Sequence, residues 1–229
     1  MRRLAVVSDI HANLEALEAV LGRVKGEELV CLGDLVDYGA EPNEVIARLA
    51  GARAKTILGN HDWAALTGDV TRFNPKAAMS SIWTRARLTE GSRRYLGALP
   101  EELRMRAEGA DLYFTHGSPD DHLWEYIDPR ADSDLFGHFL DKLGVVGIGV
   151  GHTHLPFVWR EGARVMFNPG SVGQPRDGDR RAAYAELTVE GDSVDVELLR
   201  VEYDFERAAS KIREAGLPAS HAERLATGN

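Results

Sequence analysis

The first half of the chain alternates short apolar runs with segments whose apolar residues recur every three or four positions. "LAVVSD" is the first such run, and "NLEALEAVLGRV" follows it with Leu14, Leu17, Leu21 and Val24 on one helical face. Asn13 stands where an N-cap belongs. "ELVCLGD" predicts a second strand, "PNEVIARLA" a second helix opened by Pro42, and "AKTILGN" a third strand. Residues 74–99 carry a helical pattern, expected in two pieces with a break near Gly91-Ser92. Strands are then expected at "DLYFTHG", "VVGIGVGH" and "RVMFNPG", with a helix over "SDLFGHFLDKL" between the first two. The pattern changes near the end. "AAYAELTVE" and "SVDVELLRV" flank Gly191-Asp192 as a hairpin, and "DFERAASKIREAG" reads as a last helix closing near Gly216. An α/β half joined to a β-rich half, with helices outside, predicts two mixed sheets packed face to face.

The polar residues fall on this frame in a repeated way. Asp9 and His11 lie just past the first expected strand, Asp34 past the second, and Asn60, His61 and Asp62 past the third. His116, and then His152 and His154, again follow apolar runs. Open α/β sheets bind ligands beyond the carboxyl ends of their strands, so five successive strands are expected to deliver oxygen or imidazole groups to one edge. His122, His138 and His221 stand apart from these positions. The stretch "ILGNHDWAAL" concentrates the question. A strand-to-helix turn capped by Asn60 or Asp62 explains two of its three polar residues, but a histidine between them adds nothing to a turn.

Composition narrows the class. The 229 residues are 44% hydrophobic and 28% charged, ordinary for a folded protein with a sizeable core. No run of 18 apolar residues occurs, so no membrane span is expected. The start, "MRRLAVVSDI", has its apolar stretch cut by Ser8 and Asp9 and reads as a strand rather than a leader. The single cysteine, Cys31, sits inside a strand pattern, reads as core and fits a reducing cytoplasm. A net charge of −9 argues against binding to long nucleic acid.

Carboxylate, amide oxygen and imidazole without sulfur suit Mn, Fe, Zn, Co or Ni. Seven candidate ligands exceed the three that one catalytic zinc takes. Shared between two ions about 3.5–4 Å apart, with one bridging carboxylate, they suit attack of an activated water at phosphorus. Each residue alone has a plainer reading: Asp9 can cap a helix, Asp34 can serve a turn, and a lone His116 is more often a satisfied buried histidine. "GHTH" is more specific, because two histidines two apart beside a small glycine can face one ion.

"DIH", "GDLVD", "GNHD", "THG" and "GHTH", in that order over residues 9 to about 175, resemble the motif set of the calcineurin-like metallophosphoesterases. The chain is most similar to their small bacterial and archaeal phosphodiesterases, including the "NPGS" loop at 168–171. The resemblance implies one domain over residues 1–229, a four-layer α/β/β/α sandwich ending in the hairpin and C-terminal helix. It implies two divalent ions, Mn foremost. Asp9, His11, Asp34 and His154 would bind one, and Asp34, Asn60, His116 and His152 the other, with Asp34 as bridge. His61 would be no ligand but would lie over the substrate, beside Asn60, and protonate the leaving oxygen, oriented by Asp62 or Asp37. Asp37 matches the aspartate that pairs with the general acid in related protein phosphatases, whose next residue, a phosphate-gripping arginine, is here Tyr38.

A monoester dianion gains more from a bidentate guanidinium than a diester monoanion does. Tyr38 as a substrate contact therefore favours a small phosphodiester, a nucleotide among the candidates. Arg176 could replace the clamp, although a solvated basic loop is its plainer reading. Trp124 and Tyr126 could wall the pocket or pack beneath their own loop. Phosphomonoesterase activity on the same fold is the alternative, separated by the turnover of paired mono- and diesters. A non-catalytic metal-binding interaction module is a third reading, which hydrolysis of any member of a phosphoester panel would exclude.

Overall fold

A computed structural model describes residues 1–229. Its first sheet contains β1 (Arg2–Val7), β2 (Glu28–Cys31), β3 (Lys55–Thr56), β9 (Ala182–Glu190) and β10 (Ser193–Val201), in the order β10-β9-β1-β2-β3. The second contains β4 (Glu102–Ala107), β5 (Ala110–Thr115), β6 (Gly147–Gly149), β7 (Phe157–Glu161) and β8 (Arg164–Asn168), in the order β4-β5-β6-β8-β7. Both are mixed. β1 is parallel to β2 but antiparallel to β9, and β5 is parallel to β6 but antiparallel to β4.

Strand periodicity of two explains the layering. Leu4 and Val6 of β1, with Val30 and Leu32 around the end of β2, face Leu112 and Phe114 of β5 and Val165 and Phe167 of β8 across the space between the sheets. The alternate residues Ala5, Val7, Leu29 and Cys31 face the other way, against Leu17 and Val20 of α1 (Leu14–Leu21) and Val45 and Leu49 of α2 (Pro42–Gly51). Tyr113, Ile148 and Met166 on the outside of the second sheet meet Phe136, Phe139 and Leu140 of α6 (Ser133–Leu143). Four layers, α/β/β/α, are the result. Cys31 is wholly buried in the first outer layer, as its strand position predicts.

The early elements fall where the pattern puts them. Asn13 caps α1, its Oδ1 accepting from Ala16 N at 3.1 Å, and Pro42 opens α2. Departures are local. The helical stretch after residue 74 is α4 (Pro75–Arg87) and α5 (Glu90–Gly97), broken at Leu88-Thr89 rather than at Gly91-Ser92. Thr89 restarts it by accepting from Ser92 N at 3.1 Å, and Gly91 is tolerated inside the first turn. β3 is short because the extended chain leaves the ladder: Leu58 N donates instead to Pro100 O at 2.7 Å. β4 and β7, edge strands of the second sheet, lie outside the expected set. After α7 (Phe205–Glu214), the expected last helix, the chain turns at Gly216 and forms α8 (Ala219–Thr227). α7 and α8 close a small apolar cluster of Ala208, Ile212, Ala222 and Leu225 against Trp83 of α4.

Candidate metal centre

The polar residues gather at the seam between the two sheets. Asp9 and His11 follow β1, Asp34, Asp37 and Tyr38 follow β2, and Asn60 and His61 open α3 (Asn60–Thr67) after β3. His116 follows β5, and His152 and His154 follow β6. The five strand ends thus belong to two sheets, three to the first and two to the second, and β4 intervenes in the chain. One edge of one sheet is replaced by two edges facing a common space.

Backbone bonds lock these loops together. His11 N donates to Asp34 O at 3.0 Å, Ala12 N to Leu35 O at 2.8 Å, and Gly151 N to His116 O at 2.9 Å. The "NPGS" loop joins the sheets: Asn168 Nδ2 donates to Gly151 O at 2.7 Å, while Ser171 Oγ donates to Asp9 O at 2.7 Å. Seven of the ten non-glycine residues with positive φ are candidate site residues: Asp9, His11, Asp34, Asp37, Tyr38, His152 and His154. Left-handed backbone is unfavourable for residues with a Cβ, by about 1–3 kcal/mol each, and persists only where the surroundings fix it. Here it turns successive side chains into one space.

Two buried clusters result, Asp9 with His11 and His154, and Asp34 with His116 and His152, each with its donor atoms within 4.8 Å of one another. Asp34 reaches both, its Oδ2 lying 3.3 Å from His116 Nε2 and 3.7 Å from His11 Nε2. Asn60 Oδ1 is 3.0 Å from His116 Nε2, beside the second cluster. Three imidazoles are held from behind. Nδ1 of His11, His116 and His154 faces the carbonyls of Val36, Leu32 and Gln174 at 3.0, 2.8 and 2.5 Å, which presents Nε2 to the centre. His152 is reversed, with Nε2 3.3 Å from Trp124 O, leaving Nδ1 as its donor.

These residues fit metal ions. Asp9 Oδ1 and Asp34 Oδ2 are buried carboxylate oxygens without a hydrogen-bond partner, an expensive state unless a cation meets them. Burial keeps His11 and His154 far below the usual imidazole range and His152 at about 3, so all three are neutral donors. Burial likewise pushes Asp9 up to about 6. His116 goes the other way. Burial opposes its charge, but the Asp34 carboxylate outweighs burial and raises it to about 9. The two clusters imply two divalent metal ions.

His61 lies beside the clusters with both nitrogens engaged. Nδ1 is 2.8 Å from Asp37 Oδ2, Nε2 is 3.1 Å from the Tyr38 hydroxyl, and the ring stacks on Phe73 at 4.4 Å. Of the two aspartates that could orient His61, Asp37 is the one in contact. Asp62 instead accepts from Leu35 N at 2.9 Å, Val36 N at 3.2 Å and Gly59 N at 3.0 Å, pinning the loop after β2 to the start of α3. Neither Asn60 nor Asp62 is the N-cap; that position is Gly59. Gly59 is needed for proximity. Its φ of −100° is ordinary, but a Cβ would sit 2.2 Å from Asp34 N.

The cavity in front of Asp34, His61, His152 and His154 measures about 180 Å³ and is also bounded by Tyr38, Asn74, Tyr126, Arg176 and Arg224. Arg176 is therefore a wall of this cavity, not a solvated loop residue. An adjoining cleft of about 380 Å³ runs along Phe73, Trp124 and Tyr126. Tyr126 is 61% exposed and stacks on His152 at 3.9 Å, so it faces the cleft rather than packing under its loop. His122 and His138 lie elsewhere, the first 3.0 Å from the Tyr113 hydroxyl, the second exposed on α6. His221 does not stay apart: its ring lies 4.7 Å from Tyr38.

Sequence reading misses Phe73, Asn74, His221 and Arg224. Asn74-Pro75 carries a signal, since Asn74 caps α4 by accepting from Lys76 N and Ala77 N, both at 3.1 Å. For α8 the signal is Ala222 and Leu225 three apart after Leu217-Pro218.

Comparison with known proteins agrees with this geometry. Residues 2–192 match the family model described as the calcineurin-like phosphoesterase superfamily domain. An uncharacterized protein of Methanocaldococcus jannaschii is 36% identical, with 98% of each chain covered. The phosphodiesterase YfcE of Escherichia coli is 27% identical over 78% of this chain and 84% of its own. The crystal structure of a metallophosphoesterase from Sphaerobacter thermophilus superposes with a TM-score of 0.84 at 36% identity, covering 99% of this chain and all of that one. The ordered motifs, the layered fold and the paired clusters converge on one assignment: this chain belongs to the calcineurin-like phosphoesterase superfamily.

Proposed function

We propose that this protein is a phosphodiesterase that hydrolyses a small, nucleotide-like phosphodiester with two manganese ions. The observation that carries the reading is the placement of His61, held on Asp37, beside two clusters whose Asp9 and Asp34 keep unpartnered buried oxygens. Asp9, His11, Asp34 and His154 hold one ion in this reading, and Asp34, Asn60, His116 and His152 hold the other. Manganese accords with carboxylate, amide and imidazole donors without sulfur, a set that Fe, Ni, Co and Zn also accept. When bound, such a pair activates water and offsets charge on the phosphoryl oxygens.

The protein's own part centres on the leaving group. His61 Nε2 gives its proton to the departing oxygen as the P–O bond breaks, while Asp37 holds Nδ1 and fixes the ring. Tyr38, whose hydroxyl lies on Nε2, yields that position to the substrate. Phe73, Trp124 and Tyr126 offer aromatic surface for a planar base.

His61 must be protonated to act. Burial alone would lower its pKa, but the Asp34 charge and then Asp37 outweigh burial and raise it. Activity is lost as pH rises through that value. Asp37→Asn removes part of what raises it, so the alkaline limb of the pH–rate profile is expected to move to lower pH with metal content retained. An unmoved limb would show that Asp37 does not set the protonation of His61.

Tyr38 in the position of the phosphatase arginine supports a diester, as does the printed name of the E. coli relative. The test is kcat/KM on bis(p-nitrophenyl) phosphate against p-nitrophenyl phosphate, expected to favour the diester. Tyr38→Arg is expected to raise the monoester relative to the diester, and a ratio that stays or moves the other way removes the support Tyr38 gives. Arg176 in the cavity wall favours a second reading, phosphomonoesterase. A preference of the unaltered protein for the monoester would establish it.

A further inference from the structure

We propose that Arg176 and Arg224 form an anion subsite that takes a second phosphate of the substrate, so that the substrate carries at least two phosphoryl groups. This rests on the phosphoesterase reading for the identity of the first phosphate. Arg176 comes from the loop after β8 and Arg224 from α8, yet both bound the same cavity as Asp34, His61 and His154. Arg224 lies beyond residues 2–192, the part matched by the family model.

Neither guanidinium has found a carboxylate. The acidic residues nearest Arg176 in sequence are occupied: Asp177 pairs with Arg200, and Asp179 pairs with Arg181 at 2.6 Å. Arg176 has only a 3.3 Å bond from Nη2 to Gln174 Oε1, and its buried Nε has no partner. What sets Arg176 and Arg224 apart is their place: both bound the cavity in front of Asp34, His61 and His154, in a chain whose net charge is −9.

Charge arithmetic points to the ligand. Two divalent ions and the hydroxide they generate, against Asp9 and Asp34, leave one positive charge, which a monoanionic diester offsets. Arg176 and Arg224 add two more. Guanidinium is the side chain suited to bidentate phosphate recognition, and a second phosphate supplies the charge this wall lacks. The adjoining cleft along Phe73, Trp124 and Tyr126 is lined by neither Arg176 nor Arg224. A base there and a further phosphate on the arginines fit the two ends of one nucleotide.

Calorimetry on the manganese-loaded protein, comparing adenosine 5′-diphosphate with adenosine 5′-monophosphate, tests this. The diphosphate is expected to bind about tenfold more tightly, the range of one charge-assisted contact pair. Arg224→Gln and Arg176→Gln should each shrink that ratio, with Arg224→Lys restoring part of it. Arg224 is exposed, so its variants should keep the melting temperature of the parent. Equal binding of the two nucleotides, or variants that weaken both by one factor, would overturn the subsite. Turnover of bis(p-nitrophenyl) phosphate is read separately: its absence would sink the phosphodiesterase reading and leave the nucleotide contrast to stand or fall alone.

Discussion

His61→Asn is expected to slow hydrolysis of an alkyl phosphodiester, such as one with a ribose leaving oxygen, by about 10²–10⁴-fold. An alkoxide is a poor leaving group and needs the proton that the proposed mechanism draws from His61 Nε2. A p-nitrophenolate leaves readily as an anion, so the same substitution should cost far less on bis(p-nitrophenyl) phosphate. The ring contributes no donor to either cluster, so both metals should remain. Its backbone N–H, which donates to Asp34 Oδ1 at 2.9 Å, is untouched. Equal losses on the two substrates with metals retained would assign His61 to phosphate positioning. Loss of a metal would make it a ligand.

Asp34→Asn is expected to have the largest effect on metal content. The carboxylate is buried, one oxygen lacks a partner, and that oxygen lies within 3.7 Å of His11 and 3.3 Å of His116. Replacing it removes charge from both positions at once. Losing an outer hydrogen-bond partner of a metal ligand weakens binding by roughly 10–100-fold, and losing a bridging ligand should exceed that. Metal analysis after dialysis should show at least one ion lost, with hydrolysis abolished. A fold check by melting temperature belongs with it, because Asp34 Oδ1 also accepts from His61 N. Two ions held at the parent affinity would exclude Asp34 as the bridge.

The fold was legible where local pattern and tertiary demand coincide. Leu4 and Val6 alternate with Ala5 and Val7 because each strand face meets a different apolar layer, so a short unbroken apolar run reads as a strand buried on both sides. Asn13 and Pro42 mark their helices through bonds made within a few residues. β4 and β7 are edge strands with one partner each, and their exposed positions dilute the pattern. α8 is short, its local signal is only Ala222 and Leu225 three apart, and it draws its stability from packing on α7 and Trp83.

The chemistry divides in the same way. That Asp9, His11, Asp34, Asn60, His61, His116, His152 and His154 follow strand ends is readable from the chain, since each stands within a few residues of an apolar run. That placement is a local property, because a chain leaving a sheet must turn, and left-handed residues turn it. Whether five strand ends share one space is not local. Tertiary structure alone put three on one sheet and two on the other, facing across a seam held by Asn168 and Ser171. It alone separated Asp37, which meets His61, from Asp62, which meets three backbone amides, although both lie close to the site in sequence. It also carried Arg224 from the last helix to the cavity, nearly fifty residues beyond Arg176. Such contacts are fixed by the packing of distant apolar faces, which periodicity within any one segment does not encode.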